Sequence, residues 1–343
     1  MIENLDFDFH YAHGGPCGNA LLRTMPEDFQ VDEILDIPLS GSGEHHWLHI
    51  QKRNTNTEWL ARQLARLADV PARDVSYAGL KDRIALTTQW FSVRLPGKHE
   101  PDWSAIETDD IKLLSSGRHT AKLRRGAHRG NRFMITLRDV MGDYDAIEQK
   151  LLLIRSQGVP NYFGEQRFGH GGKNVSNGVA LLEGEIKVKD RHKRSLYISS
   201  VRSYLFNKIL SERVLDGSWR ELLQGEAVML AGSNSHFVAD SIDEALTLRL
   251  LEGDVHPSAP LWGRGRLASQ HDANRFEQQI LSNYQPLLSG MEQVGLDQAR
   301  RSLRLLLSEL EWQWKEDCLL LSFLLPVGSF ATSFLRELVN YEA

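Results

Sequence analysis

The sequence changes character at Gly158-Val159-Pro160-Asn161-Tyr162-Phe163-Gly164-Glu165-Gln166-Arg167-Phe168-Gly169. Before this stretch, strand-like segments alternate with helices. The last of these helices places Ile147, Leu151 and Ile154 on one face and runs up to Gly158. Glycine and proline next to each other end regular structure, so a boundary is predicted here. Beyond it the pattern becomes mainly helical, with a long helix predicted around residues 198–209.

The flanking sequence predicts a sheet. Alternation of apolar and polar residues predicts strands over 29–35 and 45–51, and further strands around Phe91 and Phe133. Thr57 is predicted to be the N-cap of a helix. The C-terminal part adds a strand over 319–324 and a helix from about Thr332. We therefore expect a sheet domain that is completed by its own C-terminal segment, with the middle of the chain inserted into it.

The charge of the chain is unevenly distributed. The 343 residues contain 40 Lys and Arg against 45 Asp and Glu, a net charge of −5 that taken alone argues against a nucleic-acid binder. Residues 111–138, however, carry eight positive charges and no carboxylate, and residues 187–194 carry five cations against Asp190. Two basic runs on an otherwise acidic chain are typical of a protein that binds a phosphate backbone through one face.

Within these runs, which we call the basic strip (111–138) and the second basic run (187–194), eight residues are candidates for contacts with RNA phosphates. They are Arg118, Lys122, Arg124, Arg125, Arg129, Arg191, Lys193 and Arg194. The alternative is that each run is simply a solvated surface, which for a single run is the more common case.

Several chemistries find no support in the sequence. The two cysteines, Cys17 and Cys318, are too few for a disulfide scaffold or a cysteine-based metal site. The glycine-rich segment 169–178 lacks the spacing of a phosphate-binding P-loop, and residues 45–49 carry three histidines without a zinc-binding pattern. No segment resembles a secretory signal or is long enough to span a bilayer. We expect a cytoplasmic protein without a metal, a cofactor or a membrane partner.

One carboxylate site remains. The segment Ser76-Tyr77-Ala78-Gly79-Leu80-Lys81-Asp82-Arg83 places an aspartate between two cations after a strand and a glycine turn. Such neighbours favour an ionised carboxylate, which suits a nucleophile or a base. A surface aspartate in a charged turn would have the same sequence, and the segment alone does not decide between the two.

Five segments, taken together, resemble the TruD family of tRNA pseudouridine synthases. They occur in the family's order from one end of the chain to the other, and the run 161–169 is the most specific. The segments are Pro26-Glu27-Asp28-Phe29-Gln30-Val31-Asp32-Glu33, Tyr77-Ala78-Gly79-Leu80-Lys81-Asp82, Arg129-Gly130-Asn131-Arg132-Phe133, the stretch 158–169, and Leu325-Pro326-Val327-Gly328-Ser329-Phe330-Ala331-Thr332.

The resemblance implies a fold of α/β (α+β) class. A catalytic domain over 1–156 and 303–343, with a mixed, largely antiparallel sheet, would hold an inserted, mainly helical TRUD domain over 157–302. RNA would lie in the cleft between them. The implied activity is isomerisation of uridine 13 of tRNA to pseudouridine without a cofactor or metal. We expect a monomer, since nothing in the sequence demands a partner chain.

The resemblance also implies roles for individual residues. Asp82 would be the catalytic aspartate, and the residues around the target uridine would be Phe29, Asn131, Phe133, Phe330, Lys81 and Arg23. Relatives often carry lysine where this chain has Arg23. Five residues of the most specific segment would either brace the hinge or touch RNA: Asn161, Tyr162, Gln166, Arg167 and Phe168.

Three alternatives stay open at this point. Asp82 could attack the ribose C1′ atom or remove its 2′ proton. The chain could be a non-catalytic RNA-binding protein or tRNA chaperone that uses the same basic surface. It could also be a carboxylate-dependent nucleosidase or glycosidase, although such enzymes usually need a second acid, and none is evident near Asp82.

Overall fold

The computed structural model describes residues 5–95, 97 and 100–342 and contains two compact units. The sheet unit comprises residues 17–147, 307–328 and 339–343, and the helical unit comprises residues 1–16, 148–306 and 329–338. The ends of the predicted catalytic domain, Met1 and Ala343, lie outside the described residues.

The helices and strands fall into three consecutive parts of the chain. The first part contains β1 (Gly18–Leu22), β2 (Phe29–Ile34), β3 (His45–Arg53), α1 (Thr57–Leu67), β4 (Val75–Tyr77), β5 (Leu86–Arg94), β6 (Ile111–His119) and β7 (Gly130–Gly142). The middle contains α2 (Tyr144–Gln157), β8 (Val159–Pro160), α3 (Glu165–Phe168), α4 (Lys173–Leu182), α5 (Arg191–Leu215), β9 (Ala227–Leu230), β10 (His236–Val238), α6 (Glu244–Glu252), β11 (Val255–His256), β12 (Ser258–Leu261), α7 (His271–Leu281), α8 (Gln285–Gln293), β13 (Ala299–Ser302) and β14 (Arg304–Leu305). The last part contains β15 (Ser308–Lys315), β16 (Cys318–Pro326), α9 (Ala331–Leu338) and β17 (Asn340–Glu342).

The sheet unit is built on a mixed, largely antiparallel sheet of ten strands in the order β15-β16-β7-β2-β5-β3-β6. Strand β1 extends it beside β7, β17 pairs with β1, and β4 pairs with β5. The parallel pairs are β2 with β5 and β1 with β17. This confirms the predicted fold class. The strand predicted over 319–324 is β16, which joins the sheet; β15 and β17, which the sequence did not predict, also belong to it.

The register of the sheet puts a set of polar residues on the same face as the apolar core. Directly paired residues point to the same side of a sheet. Glu33 pairs with Asn131, and Val31 pairs with Phe133 and Thr87. Residues two apart on each strand continue that face, which therefore also carries Phe29. A slip of one residue would turn this whole set to the other side.

One end of this face is closed by α1. Leu60 and Leu64 of the helix pack with Leu48 and Phe91 of the sheet, and all four side chains are fully buried. The helix begins one residue earlier than predicted from the cap. Asn56, not Thr57, is the N-cap, because its side chain accepts hydrogen bonds from the backbone N–H groups of residues 58 and 59. The hydroxyl of Thr57 is directed instead toward strand β5 and the loop that precedes it.

The helical unit is organised around the stretch 158–169. Tyr162, Phe163 and Phe168 are buried in a core with α5, on which Tyr204 and Phe206 face inward. The backbone of Phe163 makes two hydrogen bonds to one side chain: its N–H donates to Asn207 Oδ1 at 2.9 Å, and its carbonyl accepts from Asn207 Nδ2 at 3.0 Å. Asn207 thus replaces the sheet or helix partners that this irregular segment lacks.

The N-terminal residues belong to this helical core. Phe9 stacks on Tyr162 with ring centroids 5.5 Å apart, and Phe7 lies 5.4 Å from Phe168. The helix α9 is also part of the helical unit, where Ser333 Oγ donates to the carbonyl of Tyr162. The predicted domain bounds, 1–156 with 303–343 against 157–302, place these segments in the catalytic domain and stay a prediction. Across the described residues, no helix combines the length and apolarity needed to cross a membrane.

Replacing Asn207 tests how far the stability of the helical unit depends on the two hydrogen bonds between this side chain and the backbone of Phe163. Asn207→Leu keeps the branched shape of the side chain but leaves the N–H and carbonyl of Phe163 unpaired in the core, so we expect a loss of about 2–5 kcal/mol of unfolding free energy. Urea denaturation followed by circular dichroism measures it. Leu215→Ala, at the exposed end of the same helix, should change stability by less than about 0.5 kcal/mol. Equal losses of unfolding free energy in the two variants would contradict a stabilising role for the Asn207 hydrogen bonds.

Candidate active site

Asp82 lies in the loop between β4 and β5 and is paired with an arginine from the start of the chain. Its Oδ2 atom accepts a hydrogen bond from Arg23 Nη2 at 3.0 Å. The side chain of Asp82 is 38% exposed, whereas that of Arg23 is 13% exposed. The carboxylate is therefore held in one direction while one side of it remains open to a ligand.

Arg23 also contacts an aromatic ring. Its guanidinium carbon lies 4.0 Å from the centre of the Phe29 ring, which is a close cation–π contact. The backbone of Arg23 has φ of 62°, in the left-handed region that non-glycine residues rarely adopt. Such strain is maintained only where the surroundings fix it, and functional sites are common examples. Arg23 thus joins Phe29 to Asp82.

The residue before Asp82 fastens the loop to the sheet. Lys81 Nζ donates to Glu33 Oε2 at 2.7 Å, and only 5% of the lysine and none of the glutamate side chain is exposed. The second oxygen of Glu33 accepts from the backbone N–H of Trp90 at 3.1 Å. A buried charge is tolerated only when it is paired in this way. The ion pair therefore fixes the loop against β2 and β5.

A second set of buried polar groups, from the start of α1 and from β5, holds the same loop through hydrogen bonds. Thr57 Oγ1 donates to Gln89 Oε1 at 2.9 Å and accepts from the backbone N–H of Lys81 at 3.2 Å. Gln89 Nε2 donates to the carbonyl of Gly79 at 3.2 Å. The start of α1 and strand β5 therefore position the segment 79–82 through its backbone.

Lys52 completes this support. Its ammonium is fully buried and donates to the carbonyls of Thr55, at 2.7 Å, and Asp82, at 3.3 Å. Burial lowers the pKa of Lys52 to about 8, while the Asp82 carboxylate raises that pKa and the charge of Lys81 lowers it. Burying a lysine whose hydrogen-bond partners are two carbonyls costs folding free energy. Such a residue indicates a candidate functional site.

Next to Arg23, two aromatic rings and an amide continue the site. Phe29 and Phe133 meet edge to face with ring centres 6.0 Å apart, and Phe133 stacks on Phe323 at 5.3 Å. Both candidate rings are nearly buried, 2% exposed for Phe29 and 7% for Phe133. The Oδ1 atom of Asn131 is buried and, among the described residues, has no hydrogen-bond partner. The group can accept one more hydrogen bond.

Comparison with known proteins decides the family. The model of the family described as tRNA pseudouridine synthase D (TruD) matches residues 8–189 and 182–338. The chain belongs to this family. A protein named tRNA pseudouridine synthase D from Nitrosococcus oceani is 50% identical over 334 residues, which are 96% of this chain and 93% of the relative. One of that name from Methylococcus capsulatus is 48% identical over 336 residues, or 98% and 95% of the two chains.

The fold is also shared with a solved structure. A crystal structure assigned to tRNA pseudouridine synthase D from Methanosarcina mazei superposes with a TM-score of 0.72, and each chain is covered to 96%. Its sequence identity to this chain is 22%, so the likeness concerns the fold. The family model and the relatives of about 50% identity confirm the resemblance to the TruD family stated from the five sequence segments.

The sheet unit brings together five of the six residues predicted to surround the uridine. Arg23 contacts both Phe29 and Asp82, and Phe133 touches Phe29. Asn131 pairs across the sheet with Glu33, the partner of Lys81. The ion pairs of Arg23 and Lys81 are with carboxylates of this unit. Phe330 lies half-buried in the helical unit, 5.9 Å from the ring of Phe163, and its predicted role stays a prediction.

The five residues of the most specific TruD segment lie in the helical unit, and their contacts there differ. Four contact the unit internally: Asn161 Nδ2 donates to the carbonyl of Ser302, Tyr162 OH donates to that of His10, Arg167 Nη1 donates to Ser199 Oγ, and Phe168 is in the core. Gln166 is exposed. The second basic run begins α5, where Arg191, Lys193 and Arg194 are exposed. Whether any of these residues meets RNA stays a prediction.

The sequence reasoning missed the groups that support the Asp82 loop. Glu33 and Lys52 occupy positions in β2 and β3 where the alternation of the strand calls for an apolar side chain, between Val31 and Leu35 and after Ile50. A charge in the buried phase of a strand is the signal that could have found them. Gln89 is uncharged and gives no such signal. Among the described residues, no three His, Cys, Asp or Glu side chains are arranged to hold a metal ion.

Removing one partner of the Lys81–Glu33 pair should destabilise the sheet unit strongly. Glu33→Gln keeps an acceptor for Trp90 but leaves the Lys81 ammonium buried without a counter-charge, which typically costs about 3–5 kcal/mol. The double variant Glu33→Gln/Lys81→Met should recover much of that loss. Glu44→Gln, in the exposed pair with Arg94, should cost at most about 1 kcal/mol. If chemical denaturation shows the same loss of unfolding free energy for Glu33→Gln as for Glu44→Gln, the buried Lys81–Glu33 pair does not stabilise the unit as described.

Lys52 should give the protein a distinctive alkaline pH dependence. Its pKa is about 8 in the folded chain against 10.5 for an ordinary lysine. Between these values the unfolded chain binds more protons, so the contribution of this residue to stability rises with pH. From pH 7 to pH 10, wild type should gain about 2 kcal/mol relative to Lys52→Met. A difference between the two proteins that does not change with pH would contradict the buried, charged Lys52.

Proposed function

We propose that this protein isomerises uridine 13 of tRNA to pseudouridine, with Asp82 as the carboxylate that acts on the ribose and without a cofactor. Membership of the tRNA pseudouridine synthase D family supports the reaction class. The observation that carries the residue assignment is the geometry of Asp82, which is paired with Arg23 at 3.0 Å and still 38% exposed. Position 13 rests on the resemblance to the family.

The reaction needs little beyond a positioned carboxylate. The bond between C1′ and N1 breaks, the uracil turns, and C5 bonds to C1′. N1 gains a proton and C5 loses one, so the product is an isomer and nothing is oxidised. Asp82 acts either as the nucleophile at C1′ or as the base for the 2′ proton. Arg23 holds the Oδ2 atom of the carboxylate, and Lys52, Thr57 and Gln89 fix the loop that carries it.

Recognition of the base follows from the groups beside Asp82. The target uridine must leave its stack before its ribose can reach the carboxylate. Phe29 and Phe133 are almost fully buried, so they form the apolar floor of the site rather than an exposed stacking surface. The Oδ1 atom of Asn131 is buried and has no hydrogen-bond partner among the described residues. Once a bound base displaces the groups that cover it, this acceptor would match the N3–H donor of uracil. Cytosine has no hydrogen on N3 and would leave this acceptor unpaired, which penalises its binding.

The assignment of Asp82 is tested with an unmodified tRNA transcript and mapping of pseudouridine along it. Wild type should convert uridine 13, and a transcript with cytidine at that position should yield no product there. Asp82→Asn should lower the rate at least about 10²–10⁴-fold, because the amide can neither attack nor accept the proton. The variant should still bind tRNA.

Asp109→Asn is the matched control, since Asp109 is an exposed aspartate of the same unit, and it should react like wild type. Absence of product from wild type would refute the enzymatic proposal. Product from Asp82→Asn at the wild-type rate would refute the assignment of Asp82, and product at another uridine would refute position 13.

A further inference from the structure

The structure divides the basic strip into two kinds of cation. Four of its arginines form ion pairs within the sheet unit, so part of their charge is already compensated. The pairs are Arg118 with Glu100 at 3.4 Å, Arg129 with Asp36 at 3.3 Å, Arg132 with Glu309 at 2.7 Å and Arg138 with Asp28 at 2.7 Å. The cations of the loop 122–125 differ from these.

The loop 122–125 presents its cations outward because one residue anchors it. Leu123 is 1% exposed and packs with Trp47 and Ala78. The next turn is tied to the same place, since the N–H of Gly126 donates to the carbonyl of Ala78 at 2.8 Å. Lys122, Arg124 and Arg125 are exposed. Within the part of the chain that the structure describes, none of the three forms an ion pair with a carboxylate.

Helix α1 supplies two more cations on the opposite wall. Leu60 and Leu64 turn one face of the helix into the core, which leaves Arg62 and Arg66 exposed one turn apart on the other. Arg66 has only a 3.5 Å contact with the amide of Gln63. Neither arginine forms an ion pair among the residues 5–95, 97 and 100–342. The sequence reasoning assigned no role to either.

A groove connects these two walls. One part has a volume of about 550 Å³ and a neighbouring part also about 550 Å³, and both are lined by Arg62 and Ala72, so the two parts lie side by side along α1. We call it the α1 groove. Its cations are Arg62, Arg66, Lys122, Arg124 and Arg125, and its carboxylates are Glu58 and Asp69.

We propose that the α1 groove binds the phosphate backbone of the substrate tRNA at nucleotides other than the target uridine. The proposal rests on the proposed function for the identity of the RNA. Unpaired, exposed arginines are the groups that bind phosphate best, because the guanidinium donates two parallel hydrogen bonds. Helix α1 spans roughly 16 Å at 1.5 Å per residue, a length over which an RNA strand carries several phosphates.

Two features connect the groove with the catalytic loop. Tyr77 lines the groove and ends β4, five residues before Asp82, so RNA held in the groove is positioned relative to that loop. The guanidinium of Arg125 lies 5.4 Å from the Tyr77 ring, and together they offer a cation and a stacking surface. Arg23, Phe29, Asn131 and Phe133 do not line the groove. The bound phosphates therefore belong to other nucleotides than the one that reacts.

The test compares Arg62→Ala/Arg66→Ala with Arg264→Ala/Arg275→Ala in the full-length protein. Both double variants remove two exposed arginines, but Arg264 and Arg275 lie in the helical unit and pair with aspartates. Removing one arginine–phosphate interaction should reduce the slope of log binding constant against log salt by about 0.7–0.9. We expect this slope to fall by about 1.4–1.8 in the groove variant, which should bind unmodified tRNA about 5–30-fold more weakly near 150 mM salt.

In turnover experiments the weaker binding should appear in KM, since the groove does not touch the reacting nucleotide. A second groove variant, Arg62→Gln/Arg66→Gln, should give the same result and keeps the polar surface of α1. The control pair should bind like wild type. Groove variants that match the control in affinity and salt slope would overturn the proposal.

The outcome for the α1 groove is separable from that for the reaction. If wild type makes no pseudouridine but the groove variants lose affinity and salt slope, the proposed function fails and the groove stands as an RNA site. If wild type makes pseudouridine and the groove variants bind tRNA like wild type, the groove proposal fails alone.

Discussion

The buried ion pair between Lys81 and Glu33 is the interaction on which the site depends. Two desolvated charges are stable only in contact, so the loop of Asp82 can adopt only conformations that keep Lys81 on β2. The same strand carries Phe29, which holds the guanidinium of Arg23, which in turn holds the Asp82 carboxylate. Strand β2 is thus connected to the Asp82 loop twice, through Glu33 and Lys81 and through Phe29 and Arg23, and these contacts form a closed ring. The register of β2 in the sheet is what places both ends of this ring.

The ion pair, Lys52 and the Thr57–Gln89 pair act on different atoms of one short segment. Lys81 is held by its side chain, Gly79 and Asp82 by their carbonyls, and Lys81 again by its N–H. Such redundancy costs stability, because each buried polar group must be satisfied. It leaves the Asp82 carboxylate partly exposed, with room for a ligand. Preorganisation of this kind is how a single positioned carboxylate can be effective.

The elements were largely predictable from the sequence, but their long-range contacts were not. Alternation identified the strands that carry Phe29 and Phe133, and helical spacing identified α2 and α5, because these signals are local. Nothing local indicates that Arg23 meets Asp82, or that Phe7 and Phe9 join the core built on 158–169. The Thr57 cap was wrong because Asn56 competes for the same N–H groups. Net charge was informative only after it was mapped, and its division into free and compensated cations required the structure.

The Asp82 carboxylate is proposed to act on the ribose of uridine 13 in a bound tRNA. Its most direct test is a single-turnover reaction on tRNA with tritium at C5 of uridine 13, since bonding of C5 to C1′ must release that hydrogen to water. Wild type should release one tritium per bound tRNA. Asp82→Asn, saturated with the same tRNA, should release almost none on that time scale. Equal release from both proteins would contradict the claim.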